Sequence, residues 1–367
     1  MDRLSYPPAN AVADTVAEHY HRHIARVQGA TATSAAIPDA ATIERIINAA
    51  FWASLRREEG RVPTISLAYL APPATGNALF IERPLPLDPP TLTRLSPAVE
   101  RPGIHLGVWP DGDGDLRIWG ATRTIPPLCF VVEVIEPGLL VVKHRRVDPG
   151  SKFVNVALLE GDQVKIVDAE GVHTAECPDF VSVLLGFDSA TSDNVLLPLA
   201  LSMRAHRHGG SLLVVPHGTG AWHRSIVSVP YAVAPPFSKL GDLVRKGARD
   251  EAFKEAIDAI GGLTAVDGAV VLSDRWDVLA FGAKIGRSES GPFVEEVLVR
   301  EPILGHIPVK VPASDLGGTR HLSAAQFVHE QQDSLALVAS QDGRFTVFGW
   351  SQRAGTVHAY RVEALLL

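Results

Sequence analysis

The sequence predicts an α/β protein built as two α/β domains, residues 1–190 and 191–367. Three observations predict it. At 367 residues the chain is too long for one small domain and suits two. Helical apolar spacing and short apolar strand runs alternate along it. The pattern also changes across the polar stretch Phe187-Asp188-Ser189-Ala190-Thr191-Ser192-Asp193-Asn194, which reads as the domain boundary.

Composition narrows the functions open to it. Hydrophobic residues make up 46% and the net charge is −7, so a broad basic face for a nucleic-acid polymer is not expected. The two cysteines, Cys129 and Cys177, are far apart and in no metal spacing, which fits a reducing compartment. Met1-Asp2-Arg3-Leu4-Ser5-Tyr6-Pro7-Pro8 contains no apolar signal core, and no run reaches membrane-spanning length. A soluble cytoplasmic protein without a membrane partner is expected.

The elements follow in order. Residues 11–28 read as a helix with Val12, Val16, His19, His23 and Val27 near one face. His19 and His23 share that face, but no third metal ligand is evident, so they read as structural histidines. Pro38-Asp39 caps a second helix reaching about Arg57, with Ile43, Ile46, Ile47, Ala50 and Phe51 at helical spacing. Strands are expected at 64–70 and 78–81, then a proline-rich irregular stretch over 83–103. A β-rich block follows: 104–109 and 116–119 around the acidic turn Asp111-Gly112-Asp113-Gly114-Asp115, then 129–135, 139–144, 153–159 and 163–168. The acidic turn lacks the rest of a calcium loop and reads as a solvated turn. A short helix is expected over Pro178–Gly186.

Beyond the boundary, 195–207 reads as a helix and Ser211–Pro216 as a buried strand. Lys239–Ile260 reads as one helix of mixed charge. Val266–Leu272 and Asp277–Lys284 read as a hairpin, and a helix begins near Gly317-Gly318-Thr319-Arg320-His321. Strands at 335–340, 345–350 and 358–362 close the chain.

The stretch from Val266 to His321 carries the chemistry. A carboxylate at a strand start, Asp267, suits a divalent metal or a hydroxyl proton. Backbone N–H groups at a helix start, with Arg320 and His321 beside them, suit a polyphosphate. Taken singly, Asp267-Gly268 also reads as a tight turn and Arg320-His321 as a helix start.

In this order the segments resemble the diadenylate cyclase (DAC) domain, the catalytic domain of the DisA type, over residues 195–350. That family's first signature is whole here, as Asp267-Gly268-Ala269. Its Arg-His-Arg signature is Arg320-His321-Leu322, without the last arginine. The first half resembles the DACNV-type sensor domain through Ile43-Ile46-Ile47-Asn48-Ala49-Ala50-Phe51-Trp52 and Trp119-Gly120-Ala121-Thr122-Arg123-Thr124. The resemblance implies a mixed β-sheet flanked by helices in the second half. It implies condensation of two ATP molecules into cyclic di-AMP with release of pyrophosphate, using Mg2+ or Mn2+, by two nucleotide sites brought face to face. Asp267, Gly268 and Ala269 would then be catalytic, with Asp267 on the metal, and Gly318, Thr319, Arg320 and His321 would bind the nucleotide.

Leu322 leaves two readings open: a working cyclase, or a receptor that binds ATP or a cyclic dinucleotide without turnover. Arg287 and Arg300 are the candidates to replace the missing charge. Residues 43–121 also echo 195–283, with Leu106-Gly107-Val108 set against Asp267-Gly268-Ala269. The N-terminal domain is therefore expected to be a divergent, non-catalytic copy of the same fold. The partners expected are a second copy of the chain or that domain as an internal pseudo-partner.

Overall fold

The computed structural model describes residues 5–27, 36–73, 78–145, 153–167, 195–289 and 291–367. The chain divides into two compact units, Met1–Val167 (with Leu367) and Asp168–Leu366. The boundary expected at 190–191, the helix over Pro178–Gly186 and Cys177 lie outside the described residues. Among the described residues no helix is long and apolar enough to cross a membrane.

The first unit opens with α1 (Pro7–Val27) and α2 (Ala40–Ser54). Asp39 caps α2 by accepting from the Thr42 amide at 2.8 Å, which satisfies one of the helix's unpaired N–H groups. Strands β1 (Ile65–Tyr69) and β2 (Leu79–Pro86) follow, then α3 (Pro89–Leu95). This helix lies inside the stretch expected to be irregular. Its signal is Asp88-Pro89-Pro90: the Asp88 carboxylate caps Thr91, and the prolines sit in the first turn, where no N–H is needed. Strands β3 (His105–Pro110), β4 (Leu116–Thr122), β5 (Val131–Glu136), β6 (Leu139–Arg145), β7 (Phe153–Glu160) and β8 (Gln163–Ile166) complete it. The sheet order is β2-β4-β3-β1-β5-β6-β7-β8. Ile65 and Leu67 of β1, Leu106 and Val108 of β3 and Val132 of β5 pack in one apolar core with α1 and α2. His19 Nε2 lies 3.4 Å from His144 Nε2, so His19 meets another imidazole on β6. No group of three or more metal-ligating side chains occurs among the described residues.

The second unit has α4 (Leu196–Ala205) and β9 (Gly210–Val215), then two short strands, β10 (Ile226–Ser228) and β11 (Tyr231–Phe237), that the sequence pattern did not reveal. Pro230 lies between them, Pro235 and Pro236 inside β11 argue against an interior strand, and β11 lies largely exposed against one neighbour only. The single helix expected over Lys239–Ile260 is two, α5 (Lys239–Arg245) and α6 (Glu251–Leu263). Gly247, at φ +67°, breaks it, and Asp250 caps the second piece on the Phe253 amide. The hairpin β12 (Ala269–Ser273) and β13 (Val278–Ile285) comes next, then β14 (Glu296–Arg300) and β15 (Val309–Pro312). After α7 (Thr319–Glu330) come β16 (Leu335–Ala339), β17 (Phe345–Ser351) and β18 (Thr356–Arg361), and a short helix, α8 (Glu363–Leu366), follows them. These strands form a mixed sheet of order β10-β13-β12-β9-β16-β17-β18-β14-β15, with β11 also on β13. Leu212, Val214, Val270 and Leu272 pack one face on α4 and α6. Leu213, Val271, Val338 and Phe348 pack the other on Ala324, Phe327 and Val328 of α7.

The two sheets share one wiring over seven strands. The order β2-β4-β3-β1-β5-β6-β7 matches β11-β13-β12-β9-β16-β17-β18. In both, one central pair is parallel (β1 with β3, β9 with β12) and the matched neighbours are antiparallel. The residue correspondence expected from the sequence needs correction. Leu106 lies inside β3 opposite Leu67, buried on the helix-covered face. Asp267 precedes β12 and is exposed. Leu212 and Val214 are the β9 residues on the equivalent face, and their partners are Val270 and Leu272, so Leu106 falls with these buried β12 residues rather than with Asp267. Matching Gly-containing tripeptides misplaced the register because strand faces, not glycines, fix it.

Candidate nucleotide site

A cavity of about 650 Å³ opens at the end of the second sheet where the parallel strands β9 and β12 begin. Small side chains make the room. Ser211 on β9, Ala269 on β12, Ala283 on β13 and Ala339 on β16 all line it. Ser211 is the register partner of both Ala269 and Val338, so it sits at the centre of this floor.

The Asp267-Gly268-Ala269 entry to β12 forms one wall. Gly268 has φ +113°, a conformation that residues with a Cβ rarely adopt, and a Cβ there would meet the Gly282 backbone. That contact lies beside an irregularity in the hairpin. Ala269 pairs with Ala283 while Val271 pairs with Ala280, so β13 carries one extra residue here. Gly282, at φ +67°, absorbs it as a bulge. Beyond the bulge three consecutive residues, Ala283, Lys284 and Ile285, line the cavity, which regular alternation along a strand does not give.

The start of α7 forms the facing wall through Gly318, Thr319, Arg320 and His321. Gly318 is the N-cap, no side chain caps the helix, and the space in front of the Gly318 α-carbon is open. First-turn N–H groups with no capping side chain, beside an open approach, suit an anion. Ser340, Gln341 and Asp342 of the β16–β17 turn close the third side.

The charges are few and balanced: Asp267 and Asp342 against Lys284 and Arg320. Lys284 donates to the Asp267 carboxylate and pairs with it. That hydrogen bond, then the ammonium's charge, with a smaller contribution from Arg320, lowers the Asp267 pKa below its ordinary value, so it is a carboxylate at neutral pH. His321 is buried, edge-on to Phe348 at 6.1 Å between ring centres. Burial, with Arg361 nearby, lowers its pKa, so its ring is neutral at pH 7.

The seven residues singled out from sequence, Asp267, Gly268, Ala269, Gly318, Thr319, Arg320 and His321, thus border one cavity. Leu322 does not line it and is 40% exposed. Neither arginine expected to supply a missing charge lines it either. Arg287 stacks on Phe293 and donates to the Gly291 carbonyl, and Arg300 lies on β14 opposite Tyr360. The extra cation is Lys284. Its signal in the sequence, a lysine directly after Phe281-Gly282-Ala283, reads as an ordinary strand end until the bulge is known.

Residues 32–123 match the family described as "Probable sensor domain DACNV". No curated protein matches the chain. Among solved structures, a hypothetical membrane spanning protein from Bacillus cereus aligns at 14% identity and a TM-score of 0.27, over 46% of this chain and 62% of its own. DacA from Staphylococcus aureus, a double mutant, aligns at 14% identity and a TM-score of 0.25, over 47% of this chain and 88% of its own. This chain therefore spans less than two thirds of the first of these, and both superpose too loosely to carry an argument.

Proposed function

We propose that the second unit binds a nucleoside triphosphate with a divalent cation in this cavity, and that the chain is a diadenylate cyclase-type nucleotidyltransferase. It condenses two ATP into cyclic di-AMP under the control of the first unit, which acts as the sensor. One observation carries the reading. Two signatures about fifty residues apart border a single cavity, with a carboxylate on one wall and an uncapped helix start bearing Arg320 on the other. The match of residues 32–123 to a sensor family adds to it.

The chemistry asks for positioning and charge rather than for a covalent group from the protein. Each 3′-hydroxyl attacks the α-phosphorus of the other nucleotide, and the bond to the β-phosphate oxygen breaks. Two pyrophosphates leave. The α7 N–H groups, Thr319 and Arg320 hold phosphate oxygens, and neutral His321 supplies a hydrogen bond without added charge. One cavity holds one nucleotide, so the second comes on another copy of the chain. A cytoplasmic setting supplies both ATP and the metal.

The donor set fits Mg2+ or Mn2+. Asp267 presents a carboxylate that is 85% exposed, Asp342 lies in the same lining, and such ions use one or two carboxylates with substrate phosphates and water. Asp267 would hold the ion, which when bound neutralises polyphosphate charge.

A second reading is a receptor that binds ATP or a cyclic dinucleotide without turnover. Leu322 outside the cavity and Lys284 already on Asp267 favour it. One experiment separates the two. The protein is incubated with ATP and Mn2+, the products are resolved by chromatography, and binding of labelled ATP is measured in parallel. A cyclic dinucleotide that vanishes in Asp267→Asn supports the enzyme, binding without product supports the receptor, and neither binding nor product overturns both.

A further inference from the structure

We infer that Lys284 is a built-in counter-ion that holds Asp267 closed to metal until a polyphosphate draws the ammonium away, so that metal and nucleotide enter the site together. The inference rests on the nucleotide reading above and adds a regulation of that site.

Four observations carry it. The Lys284 ammonium and the Asp267 carboxylate are ion-paired, and both border the cavity. The extra residue at Gly282 brings Lys284 into that lining directly after Ala283. Asp267 belongs to no cluster of three or more metal-ligating side chains among the described residues. An incoming ion therefore meets, at Asp267, a carboxylate already neutralised by an ammonium that also repels it. Finally, the cavity holds two cations, Lys284 and Arg320, and the charge of Arg320 also reaches Asp267. Polyphosphate oxygens are the ligand that gives Lys284 a better partner than Asp267. Once Lys284 turns to phosphate, Asp267 is free for the metal, and the metal offsets the rest of the phosphate charge.

The lysine is suited to this exchange. Its side chain is 43% exposed, so it moves without opening the core. An ammonium is a point charge on a flexible stem, whereas an arginine fork would bind the carboxylate more rigidly. By linkage, the factor by which nucleotide tightens metal equals the factor by which metal tightens nucleotide.

The test measures Mn2+ binding by electron paramagnetic resonance titration, with and without α,β-methylene ATP, whose bridging carbon prevents pyrophosphate release. In the wild type, Mn2+ alone should bind weakly and the analogue should tighten it. In Lys284→Gln, Mn2+ alone should bind about fivefold tighter, the ratio that loss of one competing exposed ion pair allows, and the analogue should tighten it less. The gain should disappear in the Lys284→Gln/Asp267→Asn double variant, which places it on this carboxylate. Unchanged or weaker Mn2+ binding by folded Lys284→Gln, judged by circular dichroism, overturns the inference. If neither protein binds the analogue at any Mn2+ concentration, the nucleotide reading falls and the coupling with it. The competition at Asp267 is still decided by the manganese titration alone.

Discussion

Gly268 and Gly282 face each other across the β12–β13 hairpin so closely that a Cβ on Gly268 would overlap the Gly282 carbonyl carbon. The neighbour is backbone and cannot swing aside. Gly268 also sits at φ +113°, where a side chain is strained whatever the space. Gly268→Ala should therefore cost roughly 1–3 kcal/mol of stability and displace Asp267. Gly318→Ala, at φ −71° with open space before it, is the contrast and should stay near wild type in stability. Urea unfolding of both variants decides this, and equal midpoints would refute the argument.

Asp267 is a different case, because its side chain is 85% exposed and fills no cavity. Asp267→Asn should leave the unfolding midpoint in place while abolishing metal-dependent nucleotide binding and any turnover. Retained Mn2+ dependence in the variant would show that another group holds the ion.

Leu322→Arg tests the departure from the family signature. Leu322 lies outside the cavity lining, and Lys284 already supplies a second cation there. Nucleotide affinity should therefore stay within about twofold, the usual range for a surface change. A large rise in affinity or turnover would show that an arginine at this position reaches the phosphates after all.

The fold class and the residues that border the cavity were legible in the sequence, and several details of the fold around them were not. Asp267 and the Gly318–His321 turn were legible because glycines and charged residues at a strand start and a helix start are local signals. Lys284 was not, because its direction depends on a bulge at Gly282 that exists only once β12 and β13 are paired. The wiring shared by the two sheets left echoes in composition, but the echoes misaligned Leu106 with Asp267. Side-chain face is a period-two property set by partners on neighbouring strands, and a tripeptide match does not see it. Strand β11 was hidden by its prolines, and the break at Gly247 was hidden by uninterrupted helical composition on either side.

The last prediction concerns His105 in the first unit. The side chain is buried, with Nδ1 2.7 Å from Ser66 Oγ, and Phe153 lies 6.0 Å away between ring centres. Burial, and then the charge of Lys143, lower its pKa to about 4 from an ordinary 6.5. The sign follows from which state binds the proton first. Above pH 6.5 the imidazole is neutral folded and unfolded, so it contributes no pH dependence. As pH falls from 6.5 toward 4 the unfolded chain takes up the proton while the folded one does not, and the folded state loses stability. Between pH 7 and pH 4.5 this one group should cost about 2–3 kcal/mol, because each tenfold difference in proton affinity between the two states is worth about 1.4 kcal/mol. His321 and His206, whose pKa values are also lowered, act in the same direction. His105→Gln keeps a polar side chain but removes the titration, so its stability should fall less over the same range. Urea unfolding at pH 7 and pH 4.5 for both proteins isolates the difference. If the two lose stability equally, His105 is not the buried neutral group that its surroundings require.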